Sequence, residues 1–281
     1  MRHEELFAFM KERHIIYVLR EQGFKKPWTL DPILQNYRFC NVYRELDKET
    51  IWFAKNWREP YADEPDLWFA SLVFRFINRS DTATELGYPV PWSPSHFKRT
   101  LQARKNRGDK VYSGAYMIST HGVREPKHSY LAKSLTKIYA ERDYIRWRGR
   151  EDTLGAFHSR LMEQFDVGAF VAAQVVADIK YIKSIYYFVR DWDSFAASGP
   201  GSRRGMNRVL GIPHIRQPMK EEKWKEHLTN LKGHIDPMVE KAGMPRIHAQ
   251  DLQNCLCEFD KYERVRLGEG FPKQRYNGRE E

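Results

Sequence analysis

The chain has 281 residues, 41% of them hydrophobic and 30% charged, which fits a globular protein of one large domain or two small ones and excludes the disordered class. Lys and Arg number 47 against 37 Asp and Glu, a formal charge of +10, and a surplus of that size favours a polyanionic partner, nucleic acid before an anionic membrane. No stretch approaches about 18 uninterrupted apolar residues and the first residues carry no signal core, so no membrane association is expected and the expected location is the cytoplasm.

Residues 3–22 predict a first helix, with Leu6, Phe9, Met10, Arg13, Ile16 and Tyr17 at helical spacing. A loop holding Pro27 and Pro32 leads to a second helix over roughly 40–56. Residues 65–79 open with Pro65 and continue as an apolar helical run ending at Asn78 and Arg79. Gly87, Pro89, Pro91 and Pro94 mark 81–94 as loop, and helix resumes over 95–107. Residues 110–120, KVYSGAYMIST, form the best strand candidate. Helical patterning returns over 128–145 and 153–188. A break at Ser198-Gly199-Pro200-Gly201 precedes short helices near 202–210 and 219–231, then a last helix at about 246–266. The pattern predicts an all-α, multi-helix fold with at most a short β element near 110–120. It reads as one helical domain over 1–281, divisible into lobes of about 1–125 and 126–270, with a polar tail over 270–281.

Three cysteines, Cys40, Cys255 and Cys257, are too few for a disulfide framework, a four-cysteine cluster or a paired zinc site. No His-Glu-x-x-His and no P-loop string is present, which removes zincins and P-loop kinases from consideration. No cofactor is expected, and the need for a divalent metal stays open.

Three places carry chemistry. The first is Gly199-Pro200-Gly201-Ser202-Arg203-Arg204-Gly205, where glycines permit unusual backbone, Ser202 can cap the following helix, and the amides at its start form an anion site beside two guanidiniums. Helix-hairpin-helix proteins hold a DNA phosphate with this kind of turn; an ordinary interhelical turn with two solvated arginines is the bland alternative. The second is Gly168–Tyr181, whose small and apolar residues predict a buried helix interrupted by Gln174 and Asp178 on one face. A carboxylate there is either paired for structure or used. The third is 250–262, where Asp251, Cys255, Glu258 and Tyr262 share one helical stripe beside Leu252, Leu256 and Phe259. Such a stripe is a solvated edge, a general base or a metal site. Asn41 with Arg44, and Asn78 with Arg79, could read phosphates or bases or form interhelical hydrogen bonds.

Six strings in order resemble the helical family of phage thymidine-hypermodification systems: Phe39–Asp47, Phe76–Arg79, Ser113–Tyr116, Phe170–Asp178, Gly199–Gly205 and Leu256–Tyr262. That family includes the helical domain of 5-hydroxymethyluracil DNA kinases and the related amino acid:DNA transferases, the glutamyl/putrescinyl thymine pyrophosphorylases. The resemblance implies a fold akin to helix-hairpin-helix DNA glycosylases and a DNA partner. It also implies a pathway in which 5-hydroxymethyluracil in DNA is activated as a phosphate ester, and an amino acid or polyamine displaces the leaving group. Arg203, Arg204 and the amides of Gly199, Gly201 and Ser202 would then stabilise the phosphate, with Lys261 beside them. Asp178, Glu258 or Asp260 would take the amine proton; Asn41, Arg44, Asn78, Arg79, Tyr116, Gln174, Asp251 and Tyr262 would support the site. Lacking a P-loop, the chain would depend on a separate hydroxymethyluracil DNA kinase. Between Arg203 and Glu222 there is no Asp and the one lysine is Lys220, which disfavours lyase-type base excision. The alternative to a transferase is a non-catalytic module that presents hydroxymethyluracil DNA to that kinase.

Overall fold

The computed structural model describes residues 1–114 and 119–272. Fourteen α-helices follow one another: α1 (His3–Glu21), α2 (Pro32–Asn36), α3 (Lys48–Phe53), α4 (Leu67–Ile77), α5 (Ser80–Leu86), α6 (Pro94–Asn106), α7 (Lys127–Ala140), α8 (Arg142–Ile145), α9 (Leu154–Met162), α10 (Ala169–Ile179), α11 (Lys183–Tyr186), α12 (Pro200–Leu210), α13 (Glu221–Lys241) and α14 (Ala249–Arg266). A 3-10 turn at Arg44–Leu46 and a π turn at Ala54–Arg58 complete the helices among the described residues. Among the described residues there is no strand, so the expectation of an all-α fold is met. No helix among them is long and apolar enough to cross a membrane.

Several local expectations change. Residues 110–114 and 119–120 are not a strand, and 115–118 lie outside the described residues. The Ser113 amide instead donates to the Ile77 carbonyl at 3.0 Å, tying this connector to the end of α4. The expected helix over 40–56 is broken because Asn41 turns the chain: its amide donates to the Asp47 carboxylate at 3.1 Å and its side chain to the Leu46 carbonyl at 2.7 Å. Helix α5 occupies a stretch expected as loop, since its seven residues precede the prolines and end at Gly87, whose φ of 71° suits glycine. The run over 153–188 is three helices, α13 runs on through Pro237 to Lys241, and α12 starts at Pro200 and not at 202.

The chain packs as two units: Met1–Asp47 with Asp193–Glu281, and Lys48–Trp192. The division therefore does not fall near 125. In the first unit, Leu6, Phe9, Met10 and Ile16 of α1 join one buried cluster with Trp224, Leu228 and Leu231 of α13 and Leu252, Leu256 and Phe259 of α14. That apolar face finds its partners at the far end of the chain, and no composition shift marks the boundary.

The tightest packing in this unit is α12 against α14. A Cβ added at Gly205 would lie 2.0 Å from the Leu256 carbonyl oxygen, and one at Gly201 would lie 2.4 Å from Cys257 Sγ. Asp260 of α14 then receives Arg204 Nε at 2.8 Å and Arg208 Nε at 2.9 Å, one on each carboxylate oxygen.

In the second unit all eleven residues of α4 are buried, and α10 packs on it. Asp178 has no exposure. Its Oδ2 accepts from Ser71 Oγ and Arg75 Nε, both at 2.7 Å, while Arg75 Nη2 bonds its Oδ1 and also donates to Thr50 Oγ1 at 3.2 Å. Asn78 closes α4 in the left-handed region, at φ 47°, which asparagine tolerates better than most residues. Its Oδ1 accepts from Arg75 Nη1 at 3.1 Å and its Nδ2 donates to Ser113 Oγ at 3.3 Å. The helix expected to be buried nearly all round has an open side: Phe170 is exposed and Gln174 is half-buried.

Two stability predictions follow from these contacts. Gly205→Ala is expected to destabilise the chain by about 2–3 kcal/mol or more, because the Cβ meets backbone that cannot swing aside; denaturant unfolding measures this. Asp178→Ala is expected to cost about 3–5 kcal/mol by stranding the buried Arg75 guanidinium, and Asp178→Ala with Arg75→Met should recover part of the loss. An Asp178→Ala protein as stable as the parent would refute the pairing.

Candidate nucleic-acid interface

The six sequence strings separate into two sets, each gathered inside one unit. In the second unit, Phe76–Arg79 and Phe170–Asp178 meet through the Arg75–Asp178 pair, and Ser113 joins them through Asn78. Tyr116 lies outside the described residues. Arg79 grips Asp81 with two bonds, at 3.0 and 2.6 Å.

In the first unit, the acidic stripe of α14 holds the backbone of the Phe39–Asp47 string. Glu258 Oε2 accepts from the Cys40 amide at 3.0 Å and Asp251 Oδ1 from the Arg44 amide at 3.0 Å. Asn254 Nδ2 donates to the Asn41 carbonyl at 3.3 Å. Tyr262 donates its hydroxyl to Asp31 Oδ2 at 2.6 Å, the same carboxylate whose Oδ1 caps α2; burial and then that bond push its pKa well up. Lys261 lies on Glu258 at 2.8 Å and over the Phe39 ring at 4.6 Å. Asp251 also faces His248 at 2.9 Å. This stripe is buried and occupied, unlike a solvated edge.

The three carboxylates singled out as bases therefore each have internal partners. Asp178 belongs to the second unit, Glu258 and Asp260 to the first. Among the described residues no group of three or more His, Cys, Asp and Glu could hold a metal ion. Burial and then Glu258 push the Cys257 thiol up to about 11, and burial and then Asp251 raise Cys255 well above its ordinary value, so neither is poised as a thiolate nucleophile.

What remains open is a cleft of about 460 Å³ at the start of α12, lined by Ser198, Gly199, Arg203, Arg204, Arg216 and Met219 among others. Helix geometry directs the first-turn amides of α12 outward, with the positive end of its dipole. Ser202, inside the helix rather than ahead of it, accepts the Gly199 amide at 2.9 Å and returns its hydroxyl to the Gly199 carbonyl at 3.1 Å. This reciprocal pair fixes the Gly-Pro-Gly turn. Residues 187–199 are not helical, so the turn opens a helix without another directly before it.

Arg203 is braced by Ser198 Oγ at 2.6 Å and Glu221 Oε2 at 3.0 Å. Burial opposes ionisation of Glu221, but the Ser198 hydroxyl and amide and the Arg203 guanidinium together hold it below its ordinary value. Arg216 was not anticipated from sequence. It stands on the Pro213–Pro218 loop that forms the opposite wall, is exposed, and has no ion-pair partner among the described residues. That loop has no periodicity to expose it, and its flanking prolines are the one local signal.

An all-α chain with a guanidinium-lined cleft at a helix N-terminus suits a protein that grips phosphate. The chain belongs to the 5-hmdU DNA kinase helical domain family, which it matches over residues 2–270. It is 28% identical over 228 residues to the 5-hmdU DNA kinase of Bacillus phage SP10, an alignment covering 73% of this chain and 35% of that protein. The chain thus spans about a third of that relative's length. No solved structure matches. The resemblance carried by the six strings is borne out for the kinase helical domain.

The depressed Glu221 acid sets a pH window. Its stabilising contribution is present above the ordinary value of 4.5 and is lost as pH falls through the lower folded value. The melting-temperature difference between the parent and Glu221→Gln is therefore expected at neutral pH and should shrink below 4.5; a difference that persists there would contradict the assignment.

Proposed function

We propose that this chain acts in thymidine hypermodification by engaging DNA that carries 5-hydroxymethyluracil, as a helical recognition module working with a kinase activity. The observation that carries this reading is the cleft at the start of α12, which Arg203, Arg204 and Arg216 line beside the first turn of the helix, in a chain of this family. Phosphate oxygens are the natural occupant, because guanidiniums at a helix start offer charge-assisted donors, and Arg216 has no ion-pair partner among the described residues while Arg203 and Arg204 are braced by Glu221 and Asp260. The relative's name supplies the modified base; the basic balance of the chain agrees with a DNA partner.

A recognition module is favoured over the amine transferase because Asp178, Glu258 and Asp260 already receive internal donors. A carboxylate so occupied is a poor acceptor for the proton of an incoming amine. The leaving phosphate would still find its donors in the α12 cleft under either chemistry.

Arg216→Ala is expected to weaken binding to hydroxymethyluracil duplex by about 1 kcal/mol, and to lower the salt dependence by about one counterion, as loss of one phosphate contact does. Fluorescence anisotropy across a salt series measures both. In parallel, the DNA is incubated with the chain, a hydroxymethyluracil DNA kinase, ATP and a mixture of amino acids and polyamines, and its nucleosides are weighed by mass spectrometry. Finding no nucleoside mass beyond those the kinase alone produces supports the module. A new amine-bearing thymidine that requires this chain would replace it with the transferase, and absence of DNA binding would refute both.

A further inference from the structure

The second unit presents an aromatic surface that takes no part in the contacts above. Across α11 and the residues after it, Ile182, Ile185 and Val189 are buried while Tyr186, Tyr187 and Phe188 are 46%, 69% and 46% exposed. The buried positions recur at three and four residues, so the segment is seated by its inner face and the three rings stand outward together. Tyr187 meets the edge of Tyr186 at 5.2 Å between centroids, and Tyr186 meets Trp192 at 5.0 Å. The rings are thus propped by one another.

One cation touches the rings and others flank them in sequence. The Arg150 guanidinium lies 4.2 Å from the Phe188 ring centroid. In the adjoining segments 148–151 and 183–190, Arg148, Arg150, Lys183 and Arg190 are exposed and Glu151 is the one carboxylate. Asp191, at the end of the segment, accepts the Leu154 and Gly155 amides at 2.9 and 3.0 Å and so serves the start of α9. An apolar protein partner would cover the rings yet leave these cations unmatched. Bases outside a duplex match both: their faces stack on rings and their phosphates meet guanidinium and ammonium groups.

We propose that the Tyr186–Phe188 surface binds single-stranded DNA, with unpaired bases stacked on Tyr187 and Phe188 and the backbone held by Arg150, Lys183 and Arg190. This inference rests on the reading of the chain as a DNA-engaging protein and adds the state of the DNA it takes.

The experiment uses the full chain, a labelled oligothymidine of about 12 nucleotides and a hydroxymethyluracil duplex. Tyr187→Ala should weaken binding to the oligothymidine on the order of tenfold, as loss of one stacked ring does. Tyr187→Phe should bind as the parent does, and both variants should keep the parent's melting temperature and duplex affinity. Irradiation of an iododeoxyuridine oligonucleotide should cross-link the peptide carrying Tyr187 and Phe188. Unchanged single-strand affinity in Tyr187→Ala alongside intact duplex binding overturns this inference alone, as does a variant that loses self-association or protein binding with its DNA affinity unaltered. Failure of the parent to bind either DNA overturns the DNA reading itself.

Discussion

The first unit depends on one close approach, that of the α12 backbone at Gly205 to the Leu256 carbonyl of α14. With no Cβ between them the two helices touch main chain to main chain, and the consequences run in both directions along α12. Beside Gly205 and one turn beyond it, Arg204 and Arg208 come within reach of Asp260, whose two oxygens are each taken by one guanidinium. Toward its N-terminal end, Gly201 passes over Cys257 and the first turn is held facing the cleft. A helix N-terminus attracts anions only where its amides are left uncovered and their direction is fixed. The glycines supply the position, and Ser202 supplies the fixed turn.

The same economy governs the buried acids. Helical spacing predicts that Asp251 and Glu258 share a face and that Asp178 interrupts an apolar helix. It does not reveal what stands opposite. Asp178 is matched by Arg75 of α4 and Glu258 by the Cys40 amide, partners far away in sequence and thus invisible to any local pattern. A buried carboxylate is costly wherever it stands, so its presence in the sequence announces a partner without choosing between a structural one and a reacting one. Ser71 and Arg75 supply donors to both oxygens of Asp178, and the Cys40 and Arg44 amides make the α14 stripe a clasp for the Phe39–Asp47 string.

What was legible follows the same division. The amphipathic periodicity of α1, the all-apolar run of α4 and the long α14 are local signals, and each emerges as a helix close to its expected bounds. The break at Asn41, the short α5 ahead of its prolines and the discontinuous first unit are set by contacts across the chain. Arg203 and Arg204 were visible because glycine and arginine coincide in seven residues. Arg216 was not, because a loop residue acquires its role only from the wall it faces.

A grip on phosphate is indifferent to the base above it, so under the proposed function the α12 cleft alone would give affinity without selecting 5-hydroxymethyluracil. The substituent replaces a thymine methyl in the major groove and leaves pairing intact, so no mismatch lowers the energy of opening the duplex. Under the proposed function, exposing that hydroxyl to a kinase costs a few kcal/mol of unstacking per base, which must be offset by contacts made only with the open strand. Rings exposed beside arginines are the contacts that can do so, since stacking on an aromatic side chain returns about 1–3 kcal/mol per base. Tyr187 and Phe188 fit that requirement, whereas a phosphate grip at the α12 cleft, which would not distinguish closed from open backbones, does not. Phosphate grip and base stacking are therefore separable demands, and the chain carries residues suited to each in a different unit.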